Sequence, residues 1–152
     1  MAKRTDLPVV KGPVVIPLDE KILEFSNRWR RTAMERAKEV ALEPNLRIQV
    51  VTAQDFIGTK LEAFRGRGRG DHANSHDDED LQAVIDGREA IVGEIAAENA
   101  DLRSYIAEQF RVLLKTAAFH DALSGYLLPD PGSQARLPVL LERIKGIADD
   151  RP

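Results

Sequence analysis

The chain has 152 residues, with 22 Lys and Arg against 25 Asp and Glu for a formal net charge of -3, and it has no cysteine. That length suits one ordinary domain, the charge balance excludes a global basic field that would recruit nucleic acid, and the missing thiols exclude disulfides, thiolate metal sites and a cysteine nucleophile. No signal-peptide-like stretch opens the sequence and no run approaches the ~20 apolar residues of a membrane span, so the expectation is a soluble cytoplasmic protein with no membrane partner.

In chain order, residues 1–13 mix charge, proline and glycine and read as a loose arm. Val14, Val15 and Ile16, closed by Pro17, suit a short buried strand because β-branched side chains fit a pleated surface. From Asp19 to about Leu42 apolar residues recur at mostly helical spacing (Ile22, Leu23, Phe25, Trp29, Ala33, Met34, Ala37, Val40 and Ala41), with a break expected near Ser26. Pro44 and Asn45 predict a turn. Leu46, Ile48 and Val50 then alternate with Arg47, Gln49 and Val51 as a half-buried strand.

Everything after Thr52 reads as helix. Thr52 with Asp55, and Ser75 with Asp78, have the spacing of capping boxes. They open helices to about Arg65 and to about Gly87. A short helix is expected at Ile91, Val92 and Ile95, and a longer one over Asp101–Lys115 with Leu102, Tyr105, Ile106, Phe110, Leu113 and Leu114 on one stripe. Phe119–Leu123 adds a turn or two, Pro129–Ser133 reads as a loop, and a last helix begins with Pro138 in its first turn. The expected fold class is α+β: one domain over 14–152, with a small strand portion of two to three strands at about 14–51 and a helical bundle at about 52–148.

The chemistry concentrates between Lys60 and Arg88. On a helical projection Lys60 falls inside the apolar arc of Ala53, Phe56, Ile57, Leu61 and Phe64, with Gly58 and Glu62 opposite or at its edge. A lysine so placed either snorkels to water or meets an anion, such as a phosphate. Asp77 projects with Leu81, Val84 and Ile85, and Asp80 lies on the flank. Acids in a first helical turn complement the macrodipole, and they equally suit holding a cation or orienting Lys60. Between the two helices Arg65, Arg67 and Arg69 alternate with glycines, a loop that lets backbone and guanidinium approach a phosphate. It lacks the spacing of a P-loop. His72 and His76 stand four apart beside Asp71 and Asp77, but a polar loop of this kind is more often solvated than metal-ligating, so no metal site is assigned. Trp29 beside Arg28, Arg30 and Arg31 is a packing residue or a platform for a base. No serine has a nucleophile-elbow setting.

The segments EKILEFSNRW, LRIQVV, TKLEAFRGRGRGD, SHDDEDLQAVIDGRE, LRSYIAEQF and GYLLPDPGSQARLPVLLERI resemble the C-terminal portion of bacterial nucleotidyltransferase-fold proteins of the AbiEii toxin family, found in abortive-infection and type IV toxin–antitoxin systems. KLEAF and SHDDED are the most specific parts. The resemblance implies transfer of a nucleoside monophosphate from a nucleoside triphosphate to an RNA or protein acceptor, with magnesium ions as cofactor and a cognate antitoxin as partner. It further implies that Lys60 contacts the triphosphate with Arg65, Arg67 and Arg69 nearby, and that Asp77 and Asp80 are the catalytic acidic motif. The glycine turn and paired metal-binding aspartates of the family have no counterpart in this sequence, and Val14 stands where a third acid is expected. The resemblance therefore implies an N-terminally shortened member, inactive by itself and binding nucleotide weakly or not at all. The alternatives are a non-catalytic protein-interaction module and a small RNA-binding module using the RGRGRG loop.

Overall fold

The computed structural model describes residues 27–67, 72 and 75–150. The expected arm, the strand at 14–16 and the start of the first helix lie outside them, as do Arg69 and the side chain of Arg67. The described chain is α+β: a helix α1 (Arg30–Arg36) leads into the antiparallel strands β1 (Lys38–Glu43) and β2 (Leu46–Val50), and helices account for most of the rest.

The hairpin corrects two expectations. A helix running to Leu42 is replaced by β1, which pairs with β2 in the register Lys38 to Val50, Val40 to Ile48 and Glu43 to Leu46 around a loop of Pro44 and Asn45. Ala37, Val40 and Ala41 fit a helical stripe, but Lys-Glu-Val-Ala-Leu-Glu also alternates at a period of two. With a partner strand two residues away, ladder hydrogen bonds decide for the strand. Nor is β2 half-buried. All of β1 and β2 is exposed, and Val40, Leu42, Leu46, Ile48 and Val50 retain between 39% and 58% of their accessible surface. No helix of the described residues covers the apolar face on which Val40, Ile48 and Val50 meet.

Helix α2 (Ala53–Arg67) is the centre of the bundle, packing against α1, against α3 (His76–Gly87), and against α4 (Ile91–Ala96) and α5 (Ala100–Leu114). Its start is capped as expected: the Thr52 hydroxyl accepts from the Asp55 amide at 3.1 Å and donates to Asp55 Oδ2 at 2.7 Å. Because neighbours surround it, α2 buries more than one stripe. Ile57 and Leu61 are buried, but so are Gly58 and Glu62, which the projection placed opposite or at the edge. The Glu62 carboxylate accepts a short hydrogen bond from the Tyr105 hydroxyl, and that donor is what permits burial. Gly58 leaves room for Leu102 and Trp29: a Cβ there would stand 2.7 Å from Leu102 Cδ1.

Ser75 caps α3 by accepting from the Asp78 amide at 3.2 Å. The remaining elements are α6 (Ala117–Leu123) with a 3-10 turn at Ser124–Tyr126, α7 (Pro131–Gln134) and α8 (Leu137–Ala148). The segment read as the loop Pro129–Ser133 holds the start of α7 instead, because Asp130 accepts from the Ser133 amide at 2.9 Å and Pro131 is preset for a first helical position. Helix α8 lies across α3, α4 and α5. Its Leu140 and Ile144 join Ile85, Ile91, Leu102, Ile106 and Phe110 in one fully buried core, each such side chain contributing roughly 1.5–3 kcal/mol of transfer free energy. Among the described residues no helix is long and apolar enough to cross a membrane.

Candidate functional site at the Lys60–Asp77–Asp80 cluster

Lys60 leaves α2 three residues after the core residue Ile57, close enough to the apolar arc that its stem lies partly buried while its ammonium reaches α3. There Nζ stands 3.0 Å from Asp77 Oδ1 and 2.7 Å from Asp80 Oδ2. Asp77 and Asp80 are three apart on one helix and so face the same way. The Lys60 ammonium also lies 5.5 Å from the centre of the Phe56 ring. Burial pulls the lysine pKa down, but hydrogen bonds to Asp80 and Asp77, with their charges, outweigh it and hold the pKa above the ordinary value. Lys60 is therefore a cation at neutral pH, set between the two acidic side chains.

Sequence reasoning brought these three residues together, but it missed the acid between them. Asp78 is 1% exposed and accepts from three sides: His72 Nδ1 stands 2.9 Å from Oδ2, the Tyr126 hydroxyl 2.9 Å from Oδ2, and Gln82 Nε2 3.3 Å from Oδ1. The Tyr126 hydroxyl is also 2.5 Å from the His72 carbonyl oxygen. Its single proton serves one acceptor at a time. The His72 ring stacks on Phe64 at 4.7 Å and meets the Phe119 ring at 5.6 Å. His72 is thus pinned to the first turn of α3, next to the Asp77 that meets Lys60. The only sequence signal was the capping pair Ser75 and Asp78, which accounts for the Asp78 amide and not for its side chain.

Of the expected phosphate ligands, Arg65 is at the surface, 3.6 Å from Glu62. His72 and His76 do not share a site, since His72 is buried while the His76 side chain is 95% exposed and 3.6 Å from Glu79. Trp29 is buried, with Tyr105 at 5.1 Å and the Arg28 guanidinium 4.5 Å over its ring, so it packs and offers no open face to a base. Among the described residues no three His, Asp or Glu side chains are placed to hold a metal ion. Asp77 and Asp80 already share the Lys60 ammonium, so the residues present do not fit a pair of magnesium ions.

A second ion cluster braces α2 from the other side. Arg36 reaches the fully buried Asp55 at 3.2 Å and Glu98 Oε2 at 2.6 Å. The hydrogen bond from Arg36 holds the Glu98 carboxyl below the ordinary carboxylate range despite partial burial.

Comparison with protein-family models, with curated proteins and with solved structures finds no match to this chain.

Proposed function

We propose that this chain is a cytoplasmic nucleotidyltransferase-like protein of the AbiEii type whose α2–α3 edge is a residual nucleoside triphosphate site without turnover of its own. One observation supports this above the others: the two most specific segments of the resemblance, KLEAF and SHDDED, meet through Lys60 at 3.0 Å from Asp77 and 2.7 Å from Asp80. In this reading Lys60 is the compact cation for a phosphate oxygen and Asp77 with Asp80 holds it in place. By the resemblance Arg65, Arg67 and Arg69 belong to the same phosphate-binding set. Transfer needs carboxylates that bring cations to the attacking hydroxyl and the triphosphate, and the two acids beside Lys60 are engaged with it.

The test is equilibrium binding of a fluorescent nucleoside triphosphate, alongside incubation with magnesium, labelled triphosphate and RNA. Weak binding that Lys60→Gln abolishes, with no labelled RNA, is expected. Turnover by the purified chain sinks the inactive reading, and binding unchanged by Lys60→Gln sinks the site.

A second reading, a protein-interaction module, is favoured by the exposed apolar face of the hairpin at Val40, Ile48 and Val50. By the AbiEii resemblance the partner would be a cognate antitoxin. Co-purification of the two chains, lost on Ile48→Glu while helical circular dichroism is kept, supports it. Co-purification unaffected by that change removes the hairpin as the contact.

A further inference from the structure

The two strands of the hairpin present unlike edges. Among the described residues β1 and β2 pair only with each other, so each leaves outer backbone N–H and C=O groups open to a further strand. The β1 edge is guarded: Lys38, Glu39 and Glu43 set charge along it, and its ladder is irregular between Ala41 and Glu43. Charges and a bulge are the ordinary means of keeping another strand off an edge. Strand β2 has neither guard. Leu46, Arg47, Ile48, Gln49 and Val50 run in unbroken register with no proline or lysine, and the single charge, Arg47, is paired with Glu39 of its own hairpin. Alternation puts Leu46, Ile48 and Val50 on one face and Arg47 and Gln49 on the other. An isolated two-stranded hairpin is marginal in water, and both strands here are exposed over their whole length.

We propose that the β2 edge pairs antiparallel with β2 of a second copy of this chain, about a two-fold axis at Ile48, to give a continuous four-stranded sheet. Two-fold symmetry and the period of two restrict the register. With Ile48 opposite Ile48, Leu46 of each copy faces Val50 of the other, and on the reverse face Arg47 of each copy faces Gln49 of the other. All of β2 is then paired and no like charges meet. A slip that centres the axis on Arg47 sets two guanidiniums opposite each other, and one that centres it on Gln49 keeps only Ile48, Gln49 and Val50 of β2 paired. Edge pairing over so short a strand covers less than the ~800 Å² per partner of a standard interface, so the dimer is weak and forms at about 0.1 mM. The inference is independent of the Lys60 reading, and it gives the hairpin an occupant other than a foreign chain.

Sedimentation of the whole chain from about 10 µM to about 1 mM, with amide hydrogen exchange of β2 at both ends of that range, tests it. The chain is expected to pass from monomer to dimer, with protection of the β2 amides rising as the dimer forms. Gln49→Lys is expected to weaken the dimer about tenfold, because the new ammonium meets Arg47 of the other copy twice per dimer. Within its own hairpin the same ammonium faces Glu39, so the change suits the fold of the single chain. Val40→Thr, on the guarded strand, is expected to leave the dissociation constant unchanged. A monomer across the whole range overturns the proposal, as does a dimer that Gln49→Lys leaves intact or that Val40→Thr disrupts equally. Protected β2 amides in a chain that stays monomeric also overturn it, and are the result expected if residues 1–26 of the same chain cover the edge.

Discussion

His72 and Asp78, six residues apart, meet in the protein interior with Nδ1 2.9 Å from Oδ2, although aspartate is a residue type that normally stays in water. Their meeting ties His72 to the start of α3, the helix from which Asp77 and Asp80 reach Lys60. Asp78→Ala would leave the donors of His72, Tyr126 and Gln82 without their carboxylate. A loss of about 3 kcal/mol is expected, in the range seen when one member of a buried polar network is removed. Urea unfolding of Asp78→Ala measures it, and an unshifted midpoint would show that the network contributes nothing.

At Gly58 the space a Cβ would fill is taken by a neighbouring core side chain, Leu102 Cδ1 at 2.7 Å. Alanine in a helix interior gains up to about 1 kcal/mol over glycine, whereas overpacking costs typically about 1–3 kcal/mol. Leu102 is fully buried and has little room to yield, so the second effect wins. Gly58→Ala is expected to lower the thermal midpoint, while Gly87→Ala, where a Cβ meets nothing within 4 Å, is the control.

The Arg36–Glu98 pair makes stability depend on acid. Hydrogen bonding to Arg36 lowers the native Glu98 pKa, so the folded state binds the proton less readily than the unfolded state. By linkage that stabilisation is complete above the ordinary value of 4.5 and is lost as pH falls through the lower native value. Denaturant midpoints from neutral to acid pH should therefore fall less steeply for Arg36→Met than for the parent chain. Identical slopes would mean that the pair does not titrate with folding.

Lys60 acts at the opposite end of the scale. Its native pKa is raised above the ordinary 10.5, net of burial, by Asp80 and Asp77, so its contribution is complete below 10.5 and is lost as pH rises through the native value. Lys60→Met should remove that alkaline limb and leave two carboxylates facing each other. At neutral pH the loss is expected to be about 1 kcal/mol or less, because Asp80 is half exposed and screened. Thermal unfolding at neutral and alkaline pH distinguishes these outcomes.

Burial separates two isoleucines of similar pattern. Ile48 on β2 is 39% exposed and Ile57 on α2 is fully buried. Ile48→Thr is expected to change stability by less than about 0.5 kcal/mol, as for other surface positions. Ile57→Thr places a hydroxyl in an apolar core and should cost several times more. Equal losses in urea unfolding would mean that the hairpin face is covered in solution.

Local rules made the helical half legible. Thr52 and Ser75 show as caps, Gly87 as a stop, and Leu102, Ile106 and Phe110 as one stripe, because capping and a 3.6-residue period act within a few residues of chain. The same projection turned Lys60 and Asp77 toward the core side of their helices, with Asp80 on the flank. Between Ala37 and Leu42 it failed, since a short apolar run satisfies both periods and only pairing with Leu46–Val50 chooses between them. It also failed at Glu62 and Gly58, whose burial depends on Tyr105 and Leu102 arriving from α5.

The sequence by itself determined the helix starts, the bundle core and the charge types gathered near Lys60, for these follow from neighbours along the chain. Only the tertiary structure decided that Asp78, rather than Asp77 or Asp80, is the carboxylate sunk in the core, and that no described helix covers the hairpin. The physical reason is the same in both cases. Burying a charge or exposing an apolar face depends on which groups distant in sequence arrive beside it: His72, Gln82 and Tyr126 come to Asp78, and no described helix comes to Ile48.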